Sequence, residues 1–168
     1  MTEASFGQLW GEHLALEFAA HDPEGAAATM TDDGYVLNVP VMTGGRGRDG
    51  VLRFYAEQFI PHLPPDIAIT HVSTTVGTDQ LVDELIVAFT HTLEMPWFLP
   101  GVAPTEKRVE LPLVVIVGFR DAMISYERLY WDHASVLSQV GVLGGATVPG
   151  AESAKRLAEW AICPGRPT

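Results

Sequence analysis

The chain has 168 residues, of which 47% are hydrophobic and 18% are charged, and its formal net charge is -11. This balance is typical of one folded globular domain and excludes an intrinsically disordered chain. The negative charge repels phosphate backbones and anionic lipid surfaces. We therefore expect neither a nucleic-acid partner nor docking on a membrane.

Targeting and cysteine chemistry give little further information. The first residues contain neither a basic segment nor an apolar run of the kind that forms an export signal, so we expect a cytoplasmic protein. No stretch approaches the roughly 20 apolar residues of a membrane span. The single cysteine, Cys163, cannot form an intrachain disulfide, and its position beside Pro164 makes it a poor candidate nucleophile.

The first third of the chain reads mainly as helix. Apolar side chains recur at helical intervals over residues 6–20, which predicts an amphipathic helix. Asp22 is a candidate N-cap for a second helix over 23–30, because Pro23 suits the first helical turn. The elements predicted next are a turn over residues 31–34, a strand over 35–41, a glycine-rich loop over 43–48 and a third helix over 50–60, which Asp49 caps.

The second half reads mainly as strand. Two hairpins are predicted, one from the strands 67–77 and 80–94 and one from the strands 108–119 and 123–132. Helices that are segregated from a run of antiparallel strands indicate an α+β fold. The remaining elements are an inserted loop over residues 95–107, a short closing helix over 134–140 and a tail helix over 152–162. We divide the chain into a domain over residues 1–143 and a C-terminal tail over 144–168.

Four short motifs occur in an order that resembles the SnoaL-like domains of the NTF2-like superfamily. They are Gly-Val-Ala-Pro-Thr at 101–105, Val-Glu-Leu-Pro at 109–112, Phe-Arg-Asp at 119–121 and Tyr-Trp-Asp at 130–132. The resemblance implies a cone in which a curved, mixed but mostly antiparallel sheet wraps around helices and encloses a pocket. It also implies a homodimer. It does not select an activity, because this fold carries isomerases, aldol cyclases, epoxide hydrolases and non-catalytic binders.

A narrower similarity concerns possible catalytic residues. Asn-Val-Pro at 38–40 and Gly-Arg-Asp-Gly-Val at 47–51 are similar to the matching segments of limonene-epoxide hydrolases. That resemblance implies that Asn38 holds an attacking water, that Glu84 accepts its proton and that Asp132 is the acid. The bridging arginine of those enzymes corresponds to Val82 here, and Arg128 is our candidate for a replacement cation.

The chemistry of the carboxylate pair depends on where the two side chains point. If Glu84 faces the interior, burial raises its pKa, and a second carboxylate nearby separates the two pKa values into one acid and one base. Alternatively, Glu84 points outward or forms a structural ion pair with Arg128. His91 is either a proton shuttle or a histidine with a structural role in the sheet.

Candidate residues for substrate binding are aromatic. Tyr55 and Phe59 lie four residues apart on the third predicted helix, and Tyr130 shares the face of Asp132. Trp97 belongs to a Trp-Phe-Leu cluster that forms either a lid over the pocket or part of a dimer interface. No histidine or cysteine spacing matches a zinc motif, so we expect no metal and no cofactor.

These observations leave three functional hypotheses. The leading one is a cofactor-free acid–base enzyme that opens an epoxide in an apolar small molecule, with water or an internal nucleophile. The second is an isomerase of the ketosteroid type or a polyketide aldol cyclase, in which a carboxylate removes a proton next to a carbonyl and Tyr130 or His91 stabilises the enolate. The third is a non-catalytic module that binds a small molecule.

Overall fold

The structure is a computed structural model that describes residues 3–144 and 148–161. Its α-helices, in chain order, are α1 (Glu3–Ala15), α2 (Pro23–Ala28), α3 (Gly47–Arg53), α4 (His133–Gln139) and α5 (Ser153–Ala161). Wider π-helical turns continue α1 and α3 over Leu16–Ala20 and Phe54–Phe59, and short 3-10 turns lie at Ile60–His62 and Pro149–Glu152. Cys163, discussed above, lies outside the described residues.

Six strands form one curved sheet. They are β1 (Met30–Asn38), β2 (Thr43–Arg46), β3 (Ala68–Val76), β4 (Gln80–Thr90), β5 (Arg108–Arg120) and β6 (Met123–Trp131). Their order across the sheet is β2-β1-β6-β5-β4-β3. Only the β1–β6 pair is parallel among these neighbours. The predicted α+β cone with a mixed, mostly antiparallel sheet is confirmed.

Several local sequence signals have the structural effect that we predicted from them. Asp22 caps α2, because its Oδ1 accepts a hydrogen bond of 2.9 Å from the Gly25 amide. Both predicted hairpins form, as β3–β4 and β5–β6. The tail contains α5 within the predicted range. Among the described residues, no helix combines the length and the apolar character that crossing a bilayer requires.

Two predictions about the first strands are wrong. The predicted turn over 31–34 belongs to β1, which begins at Met30 and shifts register against β6 before Tyr35. The predicted loop over 43–48 contains β2, in which Gly44 pairs with Leu37 of β1. Gly44 has a φ of 139°, and a Cβ there would clash with the backbone of β1. The glycines of β2 therefore permit its close pairing with β1, and they do not mark a loop.

The third helix also starts earlier than predicted. It begins at Gly47 with Arg46 in the N-cap position, so Asp49 lies inside the first turn and does not precede the helix. An acidic residue in the first turn still interacts favourably with the helix dipole. The helix then widens into the π-helical turn that carries Tyr55 and Phe59.

Candidate functional site

A cavity lies between the helices and the concave face of the sheet. Its walls come from α1, both π-helical turns, β1 and the middle of strands β3 to β6. It offers about 70 Å³ to the centres of water-sized molecules, which is room for several waters or for a small organic group. The lining is mostly aliphatic and aromatic, and its polar members are Glu17, Asn38, Tyr55 and Glu127, together with two tryptophan indoles.

Strand alternation decides which side chains reach this cavity. On β4 the residues Leu85 and Val87 line it, and on β6 the residues Glu127 and Leu129 do. Side chains two apart on a strand share a face, so Asp83 also points inward, where it is 5% exposed. The neighbours of these residues in sequence point to the outer face.

Four polar side chains form a buried cluster at one end of the cavity. His13 Nε2 lies 3.0 Å from Oε1 of Glu127, 3.2 Å from Oε1 of Glu17 and 3.1 Å from the Tyr55 hydroxyl. The Tyr55 hydroxyl donates to Oε1 of Glu127 at 3.1 Å. None of the four side chains is appreciably exposed to solvent. We call these four residues the acid–base cluster.

The hydrogen bonds of His13 indicate that both ring nitrogens are protonated. The Thr29 hydroxyl donates to the Ala26 carbonyl at 2.8 Å, so it accepts from His13 Nδ1 at 2.6 Å. His13 Nε2 faces the two carboxyl groups. Burial alone would lower the pKa of His13, but the adjacent Glu127 and Glu17 outweigh it and raise the pKa to about 10. His13 is therefore an imidazolium at neutral pH.

Two other members of the acid–base cluster, Glu17 and Tyr55, have pKa values displaced in the direction that favours their neutral forms. Burial raises the pKa of the Glu17 carboxyl, and the attraction of His13 only partly opposes this effect. Burial, together with Glu127 and Glu17, raises the pKa of the Tyr55 phenol, which stays protonated. A buried carboxyl group with a raised pKa, beside a cation and a second carboxyl group, is suited to general acid–base catalysis.

The first helix positions this cluster through its local geometry. His13 and Glu17 are four residues apart and meet on one face of the helix. The helix widens to a π-helical turn at Leu16–Ala20 and ends at His21 in the left-handed region, with φ 51° and ψ 44°. Such π-helical turns are frequent at functional sites. The ring of Trp10 stacks on His13 with the centroids 5.5 Å apart, and its indole N–H donates to Asp83 at 3.1 Å.

Asn38 presents an acceptor atom without a partner. The Thr43 hydroxyl donates to the Trp97 carbonyl at 2.6 Å, so Asn38 Nδ2 donates to Thr43 at 3.2 Å. This chain of bonds fixes the orientation of the amide. Its Oδ1 is buried and has no hydrogen-bond partner among the described residues. A buried acceptor on a cavity wall is suited to a water or to a ligand hydroxyl.

The structure separates the two carboxylates on which the sequence hypothesis depended. Of the two orientations considered for Glu84, the structure has the outward one, because Glu84 lies on the face of β4 opposite to Leu85 and Val87 and accepts a hydrogen bond of 2.9 Å from Ser73. Asp132 is exposed, and its Oδ1 caps α4 by accepting from the Ser135 amide at 3.1 Å. Neither side chain lines the cavity. The two do not form a catalytic pair there.

Three further candidates also lie away from the cavity. Arg128 is on the outer face, where its Nε donates to the Tyr35 hydroxyl at 2.7 Å and its guanidinium lies 4.1 Å from the Tyr126 ring centroid. Tyr130 is 40% exposed on the same face. His91 is buried near the inserted loop, where Nδ1 bonds to Thr105 at 3.1 Å and burial lowers its pKa.

The structure does bring together four of the residues selected from sequence. Asn38, Tyr55, Phe59 and Trp97 all line the cavity. Trp97 packs edge-on against Phe59, with the centroids 4.8 Å apart, and is itself 5% exposed. Its indole N–H donates to the His62 carbonyl at 3.3 Å. It therefore forms a fixed part of the wall.

The sequence analysis selected neither Glu127 nor the pair His13 and Glu17 as site residues. The signal for the pair was present, since two ionisable residues one turn apart on the apolar first helix are expected to interact. Glu127 carried no such signal. It alternates with Arg128 on β6, and only the observed face of that strand distinguishes the two.

The acid–base cluster also has the donor types of a metal site. One ligand atom each from His13, Glu17 and Glu127 lies within 4.8 Å of the others. Imidazole and carboxylate suit several divalent transition metals. A metal would have to displace the proton on His13 Nε2, since ligation requires the neutral ring. The high pKa of His13 makes that displacement costly at neutral pH.

The fold and the cavity together define a cone-shaped α+β protein with a buried acid–base cluster. The model of the SnoaL-like domain matches residues 11–127, and the chain belongs to this family. The match includes His13, Glu17, Asn38, Tyr55 and Glu127. A comparison with curated proteins finds no match.

Solved structures with the same fold carry several descriptions. TsrD from Streptomyces laurentii superposes with a TM-score of 0.65 at 18% identity, covering 84% of this chain and 98% of that one. A putative SnoaL-like polyketide cyclase from Jannaschia sp. CCS1 gives 0.62 at 19% identity, covering 80% and 92%. SalBIII, described as an epoxide hydrolase/cyclase-like enzyme in pyran ring formation in salinomycin, gives 0.56 at 13% identity, covering 75% and 89%. At these identities the likeness shows the fold alone.

Proposed function

We propose that the protein is a cofactor-free acid–base enzyme that opens an epoxide in an apolar small molecule, using water or a hydroxyl of the same molecule as the nucleophile. One observation carries this proposal. A single imidazolium nitrogen, His13 Nε2, lies within 3.2 Å of two carboxyl groups, Glu17 and Glu127, and both of these line an apolar cavity. Epoxide opening needs an acid and a base at the same time, on opposite sides of the reacting bond.

The two carboxyl groups have environments that suit different roles. Glu17 has a raised pKa through burial, so its neutral form is favoured and it is the proposed acid. Glu127 accepts hydrogen bonds from His13 and from Tyr55, which hold its carboxyl group at the cavity wall, and it is the proposed base. His13 links the two, as the cation of a carboxylate–cation–carboxylate arrangement.

The proposed reaction is balanced without any co-reactant. The nucleophile oxygen bonds to an epoxide carbon while the bond from that carbon to the epoxide oxygen breaks. Glu17 gives its proton to the departing oxygen, and Glu127 takes the proton of the nucleophile. His13 Nε2 contacts both carboxyl groups, so it returns the proton from Glu127 to Glu17. The product is a diol when water attacks and a cyclic ether when an internal hydroxyl attacks.

Asn38 supports the nucleophile side of this scheme. Its unpartnered Oδ1 is an acceptor for the second hydrogen of water or for an internal hydroxyl. Asn38 and Val36 lie two apart on β1, and Val36 pairs with Glu127 of the neighbouring strand. Asn38 and Glu127 therefore share the inner face of adjacent strands. The similarity in fold to SalBIII, an epoxide hydrolase/cyclase-like enzyme, is consistent with this choice.

The test is turnover of apolar epoxides by the full chain, in water labelled with ¹⁸O, with and without a hydroxyl placed for ring closure. We expect a labelled diol or an unlabelled cyclic ether, and we expect turnover to survive treatment with a chelator. Glu17→Gln should lower kcat by about 10²- to 10⁴-fold, the usual contribution of a general acid. Glu12→Gln is the matched control, since Glu12 is an exposed residue of the same helix.

Three results would contradict the proposal. Deuterium exchange next to a ketone, without reaction of any epoxide, would assign the site to an isomerase or aldol cyclase. Saturable binding without turnover of either substrate class would assign it to a binding module. Loss of turnover on chelation, restored by added metal, would show that the acid–base cluster holds a metal.

A further inference from the structure

A second apolar depression adjoins the cavity on the outside of the protein. We call it the mouth groove and define it by Phe18, His21, Ile60, Leu63, Ile67 and Ile69, which line it together with the two prolines at 64 and 65. It lies between the π-helical end of the first helix and the segment that leads from the 3-10 turn into β3. Among its described lining residues, His21 is the only ionisable one.

The mouth groove adjoins the cavity. Phe18, Ile67 and Ile69 line both spaces, so the two meet at these side chains. The ring of Phe18 packs edge-on against Phe59, with the centroids 5.8 Å apart, and Phe59 is itself part of the cavity wall. Glu17 precedes Phe18 in the same π-helical turn. The turn therefore presents a proposed catalytic carboxyl group to the cavity and an aromatic ring to its opening.

The two spaces differ greatly in size. The cavity offers about 70 Å³ to the centres of water-sized molecules, whereas the mouth groove offers about 410 Å³. The cavity alone holds little more than a small organic group. Ile69, at the junction, is 41% exposed although it is a large apolar residue. Exposed apolar side chains next to a binding pocket are a common sign of an extended ligand site.

We propose that the mouth groove binds the unreactive apolar part of the substrate, while the reactive end occupies the cavity. The substrate class is then an elongated, uncharged molecule, such as an alkyl chain or fused rings that carry the reactive group at one end. The absence of a carboxylate, lysine or arginine from the described lining of the groove disfavours a charged extension. The identity of the reactive group rests on the proposed function, but the binding of the apolar part does not.

The experiment measures binding without turnover. A series of straight-chain primary alcohols, from butanol to dodecanol, is titrated into the full chain and followed by tryptophan fluorescence, since Trp10 and Trp97 line the cavity. In the wild type we expect each added methylene to strengthen binding by about two- to fourfold, beyond the length that fills the cavity. Leu63→Glu should weaken the binding of the longest alcohols by about tenfold or more, because it places a charge against apolar surface.

Two further variants make this test decisive. Pro65→Glu changes an exposed residue of the mouth groove, so it gives the same information if Leu63→Glu does not fold. Val142→Glu adds the same charge at a 50% exposed apolar residue away from the groove, and should keep the dependence on chain length. An affinity that stops rising once the cavity is filled, or that still rises with chain length in both groove variants, would overturn the inference. Failure of epoxide turnover would leave this result unaffected.

Discussion

The inner and outer faces of the sheet carry similar residue types in different environments. On β4, Asp83 points inward and Glu84 outward, and on β6, Glu127 points inward and Arg128 outward. The inner carboxylates bond to side chains of the first and third helices, at Trp10, His13 and Tyr55. Among the described residues, the outer side chains bond to Ser73 and Tyr35 on the sheet, whereas the inner Asp83 bonds both to Thr74 on the sheet and to Trp10 of the first helix. A shift of one residue along a strand thus decides whether a side chain joins the buried interior or the outer surface.

The physical difference lies in the dielectric around each group. Charges on the outer face are partly solvated and screened by salt, so their interactions are weak. Glu127 and Glu17 interact with His13 in a region that excludes bulk water, where the same charges interact much more strongly. This is why the pKa of His13 is raised to about 10 although burial alone would lower it.

The largest expected effect that tests the difference between the inner and outer faces is on kcat. Glu127→Gln removes the proposed base on the inner face, and we expect kcat on an apolar epoxide to fall by about 10²- to 10⁴-fold. Glu84→Gln makes the same chemical change on the outer face and should leave kcat within about twofold of the wild type, since the half-buried side chain changes only its hydrogen bond with Ser73. Steady-state kinetics on the two variants, with far-UV circular dichroism to confirm folding, makes the measurement. If Glu84→Gln lowered kcat more than Glu127→Gln did, the catalytic carboxylate would lie on the outer face.

The fold was largely predictable because its signals are local. Capping by Asp22 and the two hairpins depend on neighbouring residues, and they agree with the structure. The phase of the strands was not predictable in the same way. On β4 the apolar residues Leu85 and Val87 alternate with Ile86 and Ala88, so both faces read as buried and the alternation does not say which one is inner.

The acid–base cluster was only partly predictable for a related reason. Its members come from the first helix, the third helix and the last strand, and they meet only when the sheet curves around the helices. Spacing in sequence shows that His13 and Glu17 are neighbours. It cannot show that Glu127 completes the group, because that contact joins elements more than a hundred residues apart in the chain.

A second prediction concerns stability and pH. The folded chain holds the His13 proton up to about pH 10, whereas the unfolded chain releases it near the ordinary pKa of 6.5. The contribution of this proton to the free energy of unfolding is therefore complete below pH 6.5 and is lost as the pH rises toward 10. Urea unfolding between pH 6 and 10 should show this decline in the wild type.

His13→Gln provides the matching variant. It should lower the free energy of unfolding at neutral pH by about 3 to 5 kcal/mol, the usual cost of removing one partner from a buried ion pair. It should also reduce the loss of unfolding free energy that the wild type shows as the pH rises above 6.5. His21→Asn is the control, since His21 is an exposed histidine whose left-handed backbone conformation asparagine tolerates, and this change should alter neither quantity much. A wild-type stability that is level across this range would show that the inner carboxyl groups do not hold a proton on His13.

The smallest expected effect is a loss of stability in variants of Asp132, which directly follows β6. Asp132 caps α4, so Asp132→Ala should cost about 1 kcal/mol of stability, while Asp132→Asn, which keeps a capping side chain, should cost much less. Both variants should retain epoxide turnover, because the side chain lies outside the cavity. Thermal unfolding and steady-state kinetics on the same preparations separate the two roles. If Asp132→Asn kept its stability but lost turnover, Asp132 would act on the substrate from a position that the cavity, as observed, does not reach.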